Sequence, residues 1–232
     1  TANKTILAGY PWFTDWGRDT MIALPGLTLA TGRYQEAKEI LTTFALNLKK
    51  GLLPNVFDDQ SGEPGKYNTI DGTLWFFYAL REYYDATADK EFIEKLYPKL
   101  EEIINYHQQG TLYDIQMDPA DGLLTGGNSN VQLTWMDAKI NDWVVTPRQG
   151  KAVEINALWY NALKIFNELG IELGHKAQNL DVIAKIENNF AAKFWFDEGK
   201  YLYDVIDGEE KDNSLRPNQV FVISLPYSLL DA

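Results

Sequence analysis

Two kinds of helix alternate along this chain, and that alternation constrains its fold more than any other feature. Tyr34–Lys50 sets Tyr34, Ala37, Ile40, Leu41, Phe44, Ala45 and Leu48 at steps of three and four, one apolar face of a helix. Asp89–Gln109 repeats the pattern with Phe92, Ile93, Leu96, Leu100, Ile103 and Ile104; Asp89 is placed to cap it and Gly110 to close it. Leu173–Phe196 is a third such region, with Leu180, Ile183, Ala184, Ile186, Phe190 and Phe194 toward a core. Between these lie Thr20–Ala30, Thr73–Tyr84, Val153–Phe166 and Gln219–Leu230, apolar around most of their circumference. A helix with no wide polar face is buried on all sides. Pro25 and Pro226 are expected to kink two of these helices or to lie near their first turns.

The connections alternate as well. Tight turns are expected after the buried helices, at Thr31-Gly32-Arg33, at 85–88 and at Gly170–Glu172. Long Gly/Asn/Asp-rich loops follow the amphipathic ones, at 51–70, 111–150 and 197–217. Loops of that length in a compact domain are usually functional. Successive hairpins put every long loop at one end, together with the N-termini of the buried helices. The expectation is an all-α, (α/α)6-type toroid with its long loops on one face. It is incomplete, with about seven of about twelve helices. Residues 1–232 then read as part of a single toroid domain, with more of it beyond Ala232. Gly199–Ile206 is placed for a short strand or hairpin on the loop face.

Composition removes several classes of function. With 21 basic and 33 acidic residues the formal charge is 21 − 33 = −12. That field repels nucleic acid and anionic membrane surfaces and tolerates neutral partners. Cysteine is absent, which removes disulfides and thiolate chemistry. His107 and His175 are the only histidines, too few for a His-rich metal site, and both read as helix-surface or turn residues. Asp118-Pro119-Ala120-Asp121-Gly122 is only loosely like a calcium loop, since no bidentate Glu follows. No cofactor or metal is expected. No apolar run is long enough to span a membrane. The start, Thr1-Ala2-Asn3-Lys4-Thr5, has neither an initiator Met nor a signal-peptide pattern. The chain therefore reads as a piece of a longer, cytoplasmic polypeptide. Its 7 Trp, 13 Tyr and 11 Phe fit either a ring-rich core or a cleft that stacks on sugars.

The unusual residues concentrate in the long loops and at the starts of buried helices. They are Trp12, Asp15, Arg18 and Asp19; Asn68 and Asp71; Trp135 and Asp137; Arg148, Glu154, Asn156 and Trp159; and Asn218. Carboxylates and amides bind pairs of hydroxyls, and rings cover the C–H faces of sugars, so this set suits a neutral polyol. Each residue also has a purely structural reading. Asp19 and Asp71 fit helix caps, and Arg18 fits a bridge to Asp15 or Asp19. Glu154 complements a helix dipole. Trp75 and Trp159 fit a core. Asp137 follows Trp135 and Met136, an apolar neighbourhood that would hold a carboxyl protonated, as a general acid requires; a turn aspartate is the other reading.

The loop blocks resemble those of the amylo-α-1,6-glucosidase domain of glycogen debranching enzymes, within the glucoamylase-like toroid group. They are Tyr10-Pro11-Trp12-Phe13…Trp16-Gly17-Arg18-Asp19, Gly51-Leu52-Leu53-Pro54-Asn55, Tyr67-Asn68-Thr69…Asp71, Gln132–Ala138, Val145–Trp159 and Leu215–Gln219. The resemblance covers nearly the whole chain. It implies hydrolysis of the α-1,6-linked glucose at a glycogen or limit-dextrin branch, with inversion. It implies Asp137 as the acid and Arg18 with Asp19 as the grip on the glucose hydroxyls. Trp12, Asp15, Asn68, Asp71, Trp135, Arg148, Glu154, Asn156, Trp159 and Asn218 follow as further candidates for lining the site.

An inverting glycosidase needs a second carboxylate about 6.5–9.5 Å from the first. In the resembled family that base lies beyond the point matching Ala232, and no residue here matches it. Two other readings stay open: a glucan-binding toroid without turnover, and another toroid glycosidase of the glucoamylase or trehalase kind. An open half-toroid also exposes inner helices, so the isolated chain is expected to pack against a copy of itself or against further sequence.

Overall fold

The computed structural model describes residues 4–57 and 64–230. The first residues of the chain, the middle of the 51–70 loop and the last two residues lie outside that description.

Seven α-helices are present among the described residues: α1 (Gly17–Leu27), α2 (Tyr34–Leu46), α3 (Asp71–Thr87), α4 (Lys90–Gln109), α5 (Val153–Glu172), α6 (Leu180–Phe194) and α7 (Phe221–Ser224). The apolar helices form the inner layer: α3 packs between α1 and α5, and α7 lies against α5 on the next inner position. The amphipathic α2, α4 and α6 pack outside them. On α4, Phe92, Ile93, Leu96, Leu100, Ile103 and Ile104 face the core, while Glu91, Glu94 and Lys95 face water. On α3 almost every side chain from Asp71 to Leu80 is buried. Phe76, Phe77 and Leu80 are fully enclosed, and each such side chain stabilises the fold by roughly 1.5–3 kcal/mol. This is the α/α-toroid arrangement.

Several element ends follow from single residues. Asp89 caps α4 by accepting from the Phe92 N–H at 3.1 Å. Gly17 opens α1 because nothing larger fits: a Cβ there would run into the Pro54 carbonyl, and the Gly17 N–H donates to Asn55 O at 2.8 Å. Pro25 lies inside α1, in its last turn, and the helix continues past it to Leu27.

Six expectations need correction. α3 runs on to Thr87, so 85–87 is helix and the chain turns only at Ala88, in left-handed backbone. α2 stops at Leu46 rather than Lys50, since Lys50 and Gly51 both take positive φ in the following turn. Gly170–Glu172 is helix, not a turn; α5 runs on to Glu172, and Gly170 is needed because Tyr97 passes against it. Accordingly the third amphipathic helix starts at Leu180 instead of Leu173. The expected helix over Gln219–Leu230 shrinks to a 3-10 turn at Pro217–Val220 and the four residues of α7. Pro226 has no N–H to give and pushes Leu225 out of helical backbone, so the helix ends before it. His107 is not a surface residue but fully buried. Its Nδ1 lies 2.8 Å from Ile103 O, and its ring stacks on Trp159.

The long loops carry short antiparallel ribbons. The expected strand near Gly199–Ile206 is present as Tyr201–Leu202 and Val205–Asp207. Val205–Asp207 is the middle strand of a three-stranded sheet, between Glu210–Asp212 and Lys151–Ala152. Val153 N–H donates to Asp204 O at 3.0 Å, which ties this sheet to the start of α5. Asp118 and Asp121 both accept from the Lys151 ammonium at 2.6 Å, so the loop that was loosely like a calcium site holds a lysine.

Candidate active site

The N-termini of α1, α3 and α5 converge on the loop face. Each contributes a charged residue from its first turn: Arg18, Asp71 and Glu154. Arg18 is the hub. Its Nε donates to Asp71 Oδ2 at 2.7 Å, and its Nη1 to Asp137 Oδ2 at 2.9 Å. The expected pairing with Asp15 or Asp19 is thus replaced by two carboxylates distant in sequence. Burial alone would lower the guanidinium's pKa; the two carboxylates more than offset this, and the net shift is upward. Arg18 Nη2 is buried with no protein partner, one donor left over at the site.

Asp71 is the first residue of α3, with Ile70 as the N-cap, and is 2% exposed. Its Oδ1 accepts from Thr69 Oγ1 and from the Gly72 N–H, so its hydrogen-bonding capacity is largely spent within the protein. Asp19 is no cap either: Trp16 holds that position, and Asp19 sits exposed in the first turn. The apolar surround expected for Asp137 is not what forms. Its side chain is 37% exposed and lies against the Arg18 cation.

Two cavities meet here. One, about 500 Å³, has apolar walls from Trp75, Leu158 and Phe221, with Arg18, Asp71 and Glu154 as polar points. The other, about 390 Å³, is bounded by Phe13, Trp16, Arg18, Asp19, Trp135 and Asp137. Arg18 and Trp135 border both. Asn218 also lines the first cavity, and its Oδ1 accepts from Trp135 Nε1 at 2.8 Å.

Behind the wall lies a buried charge network. Arg148 donates to both oxygens of Glu154, to both oxygens of Asp204 and to Thr134 Oγ1. Burial would lower the Arg148 pKa, but Glu154 and Asp204 raise it overall. Arg148 lines neither cavity. Asn156 spends its amide on the backbone of Leu124 and Ala152. Trp159 is fully buried and donates to Gly122 O at 3.1 Å, so it belongs to the core. Asn68 accepts from Asn55 at 3.4 Å, and Trp12 is 83% exposed; neither borders either of these two cavities. Asp15 stands half-buried in the loop before α1 and also borders neither. Trp75, predicted as core, is buried but also walls the larger cavity. Asp204 was missed. Its signal is a lone carboxylate inside Tyr201-Leu202-Tyr203-Asp204-Val205-Ile206, an otherwise apolar run. Among the described residues no group of three or more histidines or carboxylates is placed to hold a metal ion.

An α/α toroid whose loop face gathers an arginine, several carboxylates and tryptophan around a cavity has the architecture of a toroid glycosidase. The fold is similar to that of a mannosylglycerate hydrolase from Thermus thermophilus, with a TM-score of 0.65 and 15% identity, over 88% of this chain and 64% of that one. A rhamnosidase from Bacillus sp. GL1 matches at TM-score 0.64 and 16% identity, over 85% of this chain and 19% of that one. In sequence the chain is 30% identical to the glycogen debranching enzyme of Saccharomyces cerevisiae, covering 71% of this chain and 14% of that protein's length. The amylo-alpha-1,6-glucosidase family model matches residues 1–232, and the chain belongs to that glycoside hydrolase family.

Proposed function

We propose that this chain forms part of a catalytic domain that removes α-1,6-linked glucose from the branch points of an α-glucan such as glycogen or limit dextrin. The observation that carries the reading is Arg18 joining Asp71 and Asp137 where the two cavities meet. Asp137, loop-borne and partly open to solvent, is the group that protonates the departing glycosidic oxygen. Arg18 holds it in place, and the spare Arg18 N–H, with Asp19, grips hydroxyls of the glucose. Trp135 covers a sugar face between the cavities. Two other carboxylates on this face are poor candidates for activating water: Asp71 is bound by Arg18, Thr69 and Gly72, and Glu154 by Arg148. As the family resemblance implies, the base is assigned to sequence beyond Ala232, within the same toroid, and the outcome to inversion.

The test is glucose release from a glucosyl-branched limit dextrin. It compares wild type with Asp137→Asn, in this chain and in one extended beyond Ala232. The expected result is β-glucose as first product from the extended wild type, and a fall of at least about 100-fold in the variant. Full activity of the variant would remove Asp137 from the mechanism, and α-glucose as first product would exclude inversion. Glucan binding without glucose from any form would favour a binding domain.

A further inference from the structure

We infer that Asp204 is a positioning residue for the loop that carries Trp135 and Asp137; the functional consequence rests on the reading above. Asp204 lies between the strands Tyr201–Leu202 and Val205–Asp207 and is 2% exposed. Both of its carboxylate oxygens are fully engaged. Oδ2 accepts from Arg148 Nε at 2.9 Å and Arg216 Nη1 at 2.8 Å. Oδ1 accepts from Arg148 Nη2 at 3.1 Å and Asn218 Nδ2 at 2.6 Å. Four donors around one buried carboxylate leave it no acceptor to offer a substrate.

Two relays run from it to the site. An asparagine side chain has two near-equivalent orientations, and a carboxylate, acceptor only, selects the one that points the NH2 group at it. Asp204 thereby turns Asn218 Oδ1 toward Trp135, where it accepts the indole N–H at 2.8 Å. The second relay passes through Arg148, whose Nη1 donates to Thr134 Oγ1 at 3.2 Å. Thr134 and Trp135 are thus pinned from one carboxylate, and Asp137 follows two residues later. Without Asp204, the Asn218 NH2 group keeps only the weak acceptor Met136 Sδ at 3.6 Å, and the orientation that presents Oδ1 to the indole N–H is held less firmly.

The decisive readout is the Trp135 indole N–H resonance, assigned by its loss in Trp135→Phe. In Asp204→Asn that resonance is expected to shift and to exchange faster with solvent, while the other six indole signals stay in place. Asn218→Ala, which removes the indole's acceptor but leaves the carboxylate between its two arginines, is expected to move the same signal and gives the size of the shift that a lost relay produces; Asp204→Glu, which keeps the charge but displaces the acceptor oxygens, decides the matter if Asp204→Asn does not fold. An unmoved Trp135 signal in a folded variant overturns the inference, whatever the enzyme does. In the active, extended chain, Asp204→Asn is expected to lower kcat by about 10- to 100-fold with a smaller change in KM. Its effect is also expected to shrink in a Trp135→Phe background. Full additivity there would overturn the catalytic part. Absence of α-1,6 hydrolysis by wild type would instead sink the functional reading and leave the indole result standing.

Discussion

Arg18 shows what a lysine could not do at the same position. One planar guanidinium donates through Nε to Asp71 and through Nη1 to Asp137 and keeps a third nitrogen in reserve. An ammonium can pair with two carboxylates, as Lys151 does with Asp118 and Asp121, but as a point charge on a flexible stem it lacks the planar fork that fixes their relation and leaves a third nitrogen over. Arg18→Lys is therefore expected to lower kcat by about 100-fold or more with the near-UV circular dichroism unchanged. Wild-type turnover in that variant would mean that charge alone suffices. Arg148 makes a different prediction, about stability. Replacing it with alanine strands Glu154 without a cation and leaves Asp204 only Arg216, and removing one partner from such a buried group costs about 3–5 kcal/mol. A urea midpoint within experimental error of wild type would contradict this. At this scale the sequence revealed which residues were unusual but not whom they meet. Arg18 lies 53 residues from Asp71 and 119 from Asp137, separations that carry no local signal. Residues whose place follows from a helix with no polar face, such as Phe76 and Phe77, were easier to place.

Helices were legible where a single periodicity governs them. α4 was legible because its apolar stripe and its Asp89 cap agree. α7 was not, because Pro226 outweighs an apolar run that reads as helix. α1 carries the next prediction. Gly17→Ala pushes a methyl against the Pro54 carbonyl, a backbone atom that cannot rotate away. The expected loss is about 1–3 kcal/mol, with a drop in activity because Arg18 is the next residue. α4 carries another. Burial lowers the His107 pKa from 6.5 to about 4, against a smaller opposing effect of its bond to Ile103 O. The folded state keeps this ring neutral while the unfolded state protonates near 6.5. The contribution is thus complete above pH 6.5 and is lost as the pH falls toward 4, by about 3 kcal/mol over that window. His107→Phe is expected to reduce the difference in unfolding free energy between pH 7 and pH 4.5. An unchanged difference would show that His107 is not the group being titrated.

For the whole molecule, toroid architecture was readable because the alternation of helix type and connection length repeats three times. The small sheets were not, since strands of two or three residues leave too short a pattern. The net charge of −12 applies to the molecule as a unit. Dextrin is neutral, so its affinity is expected to change little between low and high salt, and heparin or DNA is expected not to compete. A steep salt dependence would point to a charged ligand instead. The separation of turns from loops has a practical consequence for anyone wishing to attach something to this domain. The connection at Leu173–Asn179 sits at the far end of α5 from Glu154, with Gly174 to Ala177 exposed to solvent. A fluorophore, an affinity tag or a spliced-in second domain between Lys176 and Ala177 would ride on the side remote from the cavities. The same graft between Asn128 and Val131 would fall in the loop that carries Trp135 and Asp137.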